Sequence, residues 1–344
     1  MAGMAGRALL SYSSVDQNGY CRSFLGSAGR GPPRTIDGRC EGSLMSRRGW
    51  VLFITMGVIW GVPYLMIKVA VSEIEPATLV LARTLIGAAL LIPFAAARGQ
   101  LRSLRPHWRP LLAFAAVEMA VPWFLLTNAE QRLTSSLTGL LIAAVPLVGA
   151  LLGWASGGER LGPRRIFGLL VGLAGVAALV GLDLGRGDLL ALAQMAGVVL
   201  GYALGPFIIS RYLADLPGLG VIAASLAVTG LVYLAPGIAQ LPTQMPRATV
   251  IGAVLVLGIL CTTVAFLVFF ALIDEVGPVR STVITYVNPA VAVVLGVVFV
   301  HEPMTVGIGA GFLLVLLGSV LATQRTPART VAEPELAPAV VGER

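Results

Sequence analysis

The sequence predicts an all-α polytopic membrane protein of about ten transmembrane helices, built as two inverted five-helix repeats. Three observations carry that expectation. Of 344 residues, 57% are hydrophobic and only 12% are charged, where a water-soluble chain carries about 25% charged residues. The apolar residues come in blocks long enough for a bilayer, which takes roughly 20 residues per helix. Residues with positional meaning then recur at a fixed shift along the chain.

Taken in order, residues 1–45 are rich in Gly, Ser, Arg and Pro and hold no apolar run of signal-peptide length. They read as a disordered tail, with Met45, which opens Met-Ser-Arg-Arg-Gly-Trp, as the expected native start. Apolar spans at 50–71, 76–97, 110–129, 135–155 and 166–182 make a first repeat over 46–184. Spans at 189–213, 219–239, 248–273, 282–300 and 306–323 make a second over 185–324. Residues 325–344, with Pro327, Pro334 and Pro338, read as a second disordered tail. The connections are too short for a water-soluble catalytic domain.

At a shift of 143, Pro146 matches Pro289, Gly153 matches Gly296, Glu159 matches Glu302, Gly168 matches Gly311 and Gly175 matches Gly318. Gly57 and Gly61 match Gly197 and Gly201 at a shift of 140. Five spans per copy is an odd number, so the second copy enters the bilayer upside down. Charge supports this. The flanks on one side collect thirteen arginines, from Arg47 and Arg48 to Arg325 and Arg329, against Arg132, Arg186 and Arg247 on the other. The positive-inside rule then places both termini in the cytoplasm. The net charge of +7 is thus a topology signal, and nucleic acid is not an expected partner. Low lysine and abundant Ala, Gly, Leu and Val suit a bacterial inner membrane. Inverted repeats allow two half-bundles to rock about a central site, which favours transport over catalysis.

These residues resemble the drug/metabolite transporter superfamily, and within it the EamA-like family, over residues 47–323. The likeness rests on Trp60-Gly61 with Pro63, Arg83, and Pro146 ahead of Gly158-Glu159-Arg160-Leu161 with Gly168 and Gly175. In the second copy it rests on Asn288-Pro289, then His301-Glu302-Pro303-Met304-Thr305, Gly311 and Gly318. It implies ten helices around a central cavity and gradient-driven export or exchange of small metabolites, amino acids prominent among them. His301 stands where the family usually has glycine.

An ionisable group in hydrocarbon costs roughly 2.5–3.5 kcal/mol at a helix centre, so each one needs a reason. Lys68 reads as snorkelling to the outer interface. Arg83 is either a structural anchor or a solute contact. Glu118 either neutralises Arg83 in a buried pair or takes up the coupling proton. Trp60, Tyr64, Trp123, Asn128, Gln194, Tyr202, Tyr286 and Asn288 are further cavity candidates, a mixture suited to small zwitterionic or amphipathic solutes. Pro63, Pro122, Pro146, Pro206 and Pro289 each remove a helical hydrogen bond and are candidate kinks. Glycine pairs such as Gly57/Gly61, Gly149/Gly153, Gly168/Gly172 and Gly197/Gly201 allow close helix contact. Glu159 and Glu302 fall on opposite membrane faces, and each precedes a helix start where a carboxylate favours the dipole.

No metal or redox spacing links Cys21, Cys40 and Cys261, and no cofactor is expected. Gly185-Arg-Gly-Asp188 has the form of an intramembrane aspartyl protease motif, but no second aspartate lies within the spans. Walker, Gly-x-Ser-x-Gly and His-Glu-x-x-His motifs are absent. The expected partners are a small-molecule solute, the lipid bilayer and a coupling proton; the oligomeric state is left open, a monomer included. The remaining class is a non-transporting membrane scaffold or sensor.

Overall fold

The computed structural model describes residues 11–15, 20–25, 34–39, 46–155, 162–183, 189–276, 284–285 and 287–323. The proposed start at Met45, the Gly158–Leu161 motif with Glu159, the Gly185–Asp188 loop, Tyr286 and the C-terminal tail fall outside them. The chain divides into Met1–Val51 and Leu52–Arg344.

The first unit differs from a tail without structure. Strands β1 (Ser11–Val15), β2 (Tyr20–Leu25) and β3 (Arg34–Arg39) pair antiparallel in chain order, Tyr12 opposite Phe24 and Phe24 opposite Thr35. Local cues suffice for this: Asn18-Gly19 and a Gly/Pro-rich stretch separate short segments holding Tyr, Phe, Thr and Ile.

From Arg47 onward the described residues are mainly helical: α1 (Arg47–Ala70), α2 (Pro76–Ala97), α3 (Arg102–Glu130), α4 (Ser135–Ala155), α5 (Pro163–Asp183), α6 (Leu189–Leu213), α7 (Gly218–Val232), α8 (Ala248–Val276), α9 (Asn288–Val300) and α10 (Val306–Thr323), with a further short helix at Leu234–Ala239 after α7. Six of them, α1, α2, α3, α4, α6 and α8, are long and apolar enough to cross a bilayer, while α7, α9 and most of α10 are shorter apolar helices. Their starts follow local chemistry. Ser46 Oγ accepts from Gly49 N (2.9 Å), Thr134 Oγ1 from Leu137 N (3.2 Å) and Thr305 Oγ1 from Ile308 N (3.0 Å), each satisfying an orphan donor of the first turn.

The packing follows the duplication. Helix α2 contacts α7, α4 contacts α9 and α5 contacts α10, so three helices each meet their own counterpart. The other two cross over: α3 packs on α6, and α1 packs on α8 through Met56, Ile59 and Trp60 against Ala265, Phe269 and Leu272. Trp60 is edge-on to Phe266 at 6.2 Å and tilted against Phe269 at 4.8 Å between ring centroids. Helices α5 and α10 approach closely because a Cβ at Gly168 would lie 2.6 Å from Ala322 N, and one at Gly175 would lie 2.6 Å from Val315 N; Gly318 meets the backbone of Gly172.

Both third helices change gauge at matching places. Residues Ala115–Ala120 of α3 and Val256–Val264 of α8 are π-helical, segments that overlap under the 143-residue shift. Such turns leave carbonyls to be satisfied from outside the ladder. Tyr233 Oη donates to Ala120 O (2.9 Å), Thr262 Oγ1 to Leu257 O (2.8 Å) and Thr263 Oγ1 to Gly258 O (3.0 Å).

Candidate functional site

Arg83 is the centre of the polar residues in the helical unit. It is buried on α2, and its Nε donates to Thr262 Oγ1 of α8 at 2.9 Å. Its guanidinium lies 3.7 Å from the centroid of the Trp123 ring on α3, a stacking that a desolvated cation makes favourable. Tyr202 of α6 lies beside the Trp123 indole and within electrostatic reach of Arg83. Tyr64 of α1 is also buried, and it interacts electrostatically with Tyr202, Arg83 and Glu130. Five helices from both repeats thus converge on one guanidinium.

Of the candidates named from the sequence, the structure brings Tyr64, Arg83, Trp123 and Tyr202 together here and leaves Glu118 apart from them. Among the described residues the ion pair with Arg83, one of the two readings of Glu118, does not form. The Glu118 carboxyl instead lies against Gly205 of α6, where a Cβ would overlap it, and its Oε2 is buried without a hydrogen-bond partner. The π turn around Glu118 and the three glycines of α6 explain the change. Gly197 faces Leu125, Gly201 faces Val117 O and Pro122, and Gly205 faces Glu118, so α6 lies directly on that face of α3.

The other candidates are dispersed. Gln194 Nε2 donates to Asn128 Oδ1 (3.0 Å), joining α6 to α3. Asn288 is buried, and with its amide turned to suit its neighbours the nitrogen donates to Gly57 O and Ile284 O, 3.1 Å each. It ties α9 to α1. Trp60 belongs to the α1–α8 contact. Pro63 and Pro206 lie inside α1 and α6, and Pro122 follows the π segment of α3. Pro146 opens the second half of α4 after a break at Ala143–Ala144, and its counterpart Pro289 stands in the first turn of α9. Gly149 and Gly153 face open space, not a neighbouring helix.

Three features escaped the sequence. Lys68 does not snorkel: its Nζ donates to Glu130 O (2.7 Å) and Leu133 O (2.8 Å), capping the end of α3. Glu302 serves the start of α4 instead of its own following helix. It accepts from Ser135 N (2.7 Å), Ser135 Oγ (2.9 Å), Ser136 N (2.9 Å) and Ser136 Oγ (2.5 Å). Gly296 leaves the room, since a Cβ there would press on Glu302 and both serines. Burial works against the Glu302 charge, but these bonds outweigh it and hold the carboxyl below its ordinary range. The third is Glu130, fully buried with neither carboxyl oxygen hydrogen-bonded. A carboxylate at a span end reads as an exposed cap, and only the fold reveals its burial.

A cavity of about 710 Å³ is lined by apolar side chains of α4, α5 and α6, Leu147, Leu151, Leu170 and Met195 among them. None of the polar candidates lines it.

The family model for the EamA-like transporter family matches residues 47–181 and again 186–324. Among its relatives, the chain is 25% identical over 296 residues to the uncharacterized transporter YvbV of Bacillus subtilis, covering 84% of this chain and 96% of that one. It is 29% identical over 247 residues to the uncharacterized inner membrane transporter YedA of Escherichia coli, covering 70% and 78%. It is 28% identical over 302 residues to a protein of Streptantibioticus cattleyicolor named as a probable terminal-alkyne amino-acid exporter, covering 83% and 96%. A solved crystal structure shares the fold, with a TM-score of 0.60 at 24% identity over 80% of this chain and 96% of that one.

Proposed function

Because the chain belongs to the EamA-like transporter family, and so is a multi-pass membrane protein of transporter type, we propose that it is a gradient-driven exporter or exchanger of small zwitterionic metabolites such as amino acids. The observation that carries this reading is the Arg83 cluster. Among the described residues the guanidinium has no carboxylate at ion-pair distance, being held by a hydroxyl and an aromatic face. Its charge is left for a solute carboxylate. Tyr64, Trp123 and Tyr202 supply aromatic walls and hydroxyl groups around it.

The two repeats insert with opposite orientation, and alternating access follows from rocking one against the other. The pairing of α2 with α7, α4 with α9 and α5 with α10 supports such a two-fold relation. Glu118, half-buried with its Oε2 against α6, is the candidate for proton coupling. A relative named as a probable terminal-alkyne amino-acid exporter favours that solute class.

The test is counterflow of a panel of labelled L-amino acids into proteoliposomes. The wild type is expected to exceed empty liposomes, and Arg83→Lys, which loses the planar fork and the stacking, to fall toward that background. Glu118→Gln is expected to abolish pH-gradient-driven accumulation while keeping wild-type expression. No flux across a broad panel of metabolites would point to a scaffold or sensor, for which changes at Arg83, Glu118 and Trp123 would be silent.

A further inference from the structure

We propose that Glu130, at the outer end of α3, is a proton-binding site that exchanges with the medium only when the α3–α4 corner opens. The inference rests on the transporter reading and adds a second coupling group to it. Glu130 is 0% exposed, and both of its carboxyl oxygens are buried without a hydrogen-bond partner among the described residues. The ionisable groups close enough to act on it electrostatically are Lys68 and Tyr64 from α1, Arg83 from α2, Tyr202 from α6 and Glu302 from the α9–α10 connection. Lys68 is the foremost charge acting on it, but the ammonium donates to the backbone carbonyls of Glu130 and Leu133 and not to the carboxyl.

A carboxyl kept for packing would be expected to look like its neighbour. Glu302 receives four hydrogen bonds, whereas Glu130 receives none. A bare buried carboxylate is disfavoured by several kcal/mol, and one proton removes most of that penalty. Nor does the fold require a carboxyl at this place: the 143-residue shift carries Glu130 onto Ile273 of α8. An aliphatic residue fills the corresponding position in the other half.

The corner also has a latch. The connection from α3 to α4 is held on one side by Lys68 and on the other by Glu302, and the second of these bridges the two repeats. Rocking one repeat against the other must carry or break the Glu302–Ser135/Ser136 contacts, and breaking them admits water to Glu130. The proton then passes from water to the carboxylate, and closure buries the neutral acid. Glu118 lies twelve residues earlier on α3, about 18 Å away along the axis, so the two carboxyls flank the Arg83 cluster.

Infrared difference spectra of the full chain in liposomes, between acid and alkaline pH, test the site without a substrate. A carbonyl-stretch band of a protonated carboxylic acid is expected, missing in Glu130→Gln, retained in Glu118→Gln and shifted in Glu130→Asp. In parallel, amino-acid counterflow by Glu130→Gln is expected to continue but to lose its pH dependence, and its pH-gradient-driven accumulation to fall to the level reached without a gradient. An unchanged acid band in a folded Glu130→Gln protein, or full pH-driven accumulation by it, overturns the proposal. If Glu130→Gln does not fold, Glu130→Asp decides, and an unshifted band there overturns the proposal equally. Wild-type protein with the band but no flux would refute the transport reading and leave the proton site standing.

Discussion

At the residue scale, two glutamates near one corner show why chemistry is harder to read from a sequence than topology. Glu302 was legible as a motif member but not in its task, because its partners are 166 and 167 residues away. Glu130 was not legible at all, since a span-end acid has the same pattern whether it faces water or a neighbouring helix. Arg83 and Trp123 were found because a cation and a large aromatic within apolar spans need a reason wherever they point. The Glu302 network yields a stability prediction with a definite sign. Its carboxyl is held below the ordinary value in the folded protein, so its contribution is fully present above the unfolded value of about 4.3. The contribution is lost as pH falls through the lower folded value. Glu302→Ala leaves two amides and two hydroxyls without their acceptor, and charge-assisted bonds of this kind are worth about 1.5–3 kcal/mol each. We expect a clear drop in the thermal midpoint of the detergent-solubilised protein at neutral pH, shrinking as the medium is acidified below about 4. An equal drop at every pH would show that the carboxylate charge is not what holds α4.

At the element scale, spacing predicted that glycine stripes let helices approach, and did so unevenly. The stripes of α1, α5 and α6 meet neighbours, Gly57 against Val287, Gly175 against Val315 and Gly201 against Pro122, while a Cβ added at Gly149 or Gly153 of α4 would enter open space. A stripe records only that a helix has a smooth side; rotation about its axis, set by tertiary packing, decides what that side faces. The same limit hid the π segments, because a one-residue change in gauge leaves no trace in an apolar run. Once the segments are seen, their matched positions strengthen the duplication that glycine and proline spacing suggested. The contrast between stripes is testable by single methyl groups. Gly318→Ala forces the α5 and α10 backbones apart and is expected to destabilise by about 1–3 kcal/mol, the range for overpacked sites. Gly149→Ala is expected to stay within about 0.5 kcal/mol of wild type. Thermal midpoints of the two variants in detergent check this, and similar values for both would mean that α5 and α10 are not in backbone contact.

For the whole molecule, the question is whether two halves of one sequence lie in the membrane with opposite sense. The arginine bias was legible because it depends on composition near span ends, which needs no knowledge of packing. Contacts between counterpart helices are consistent with a two-fold relation, and the Glu73–Arg247 ion pair, with Arg247 N donating to Glu73 Oε2 at 2.8 Å, brings the α1–α2 loop to the start of α8. Those two segments therefore share a membrane face. Under the 143-residue shift Arg105, at the start of α3, corresponds to Ala248, at the start of α8, and both are exposed. In a parallel duplication the two positions lie on the same side; in an inverted one they lie on opposite sides. With Cys21, Cys40 and Cys261 replaced, we expect Ala248→Cys in intact cells to react with a membrane-impermeant maleimide. Arg105→Cys is expected to react only after permeabilisation. Labelling of both from one side would remove the inverted architecture, and alternating access by rocking half-bundles would go with it. The reverse pattern, with position 105 outside, would keep the inversion and turn the molecule over, moving Glu130 and its latch to the cytoplasmic face.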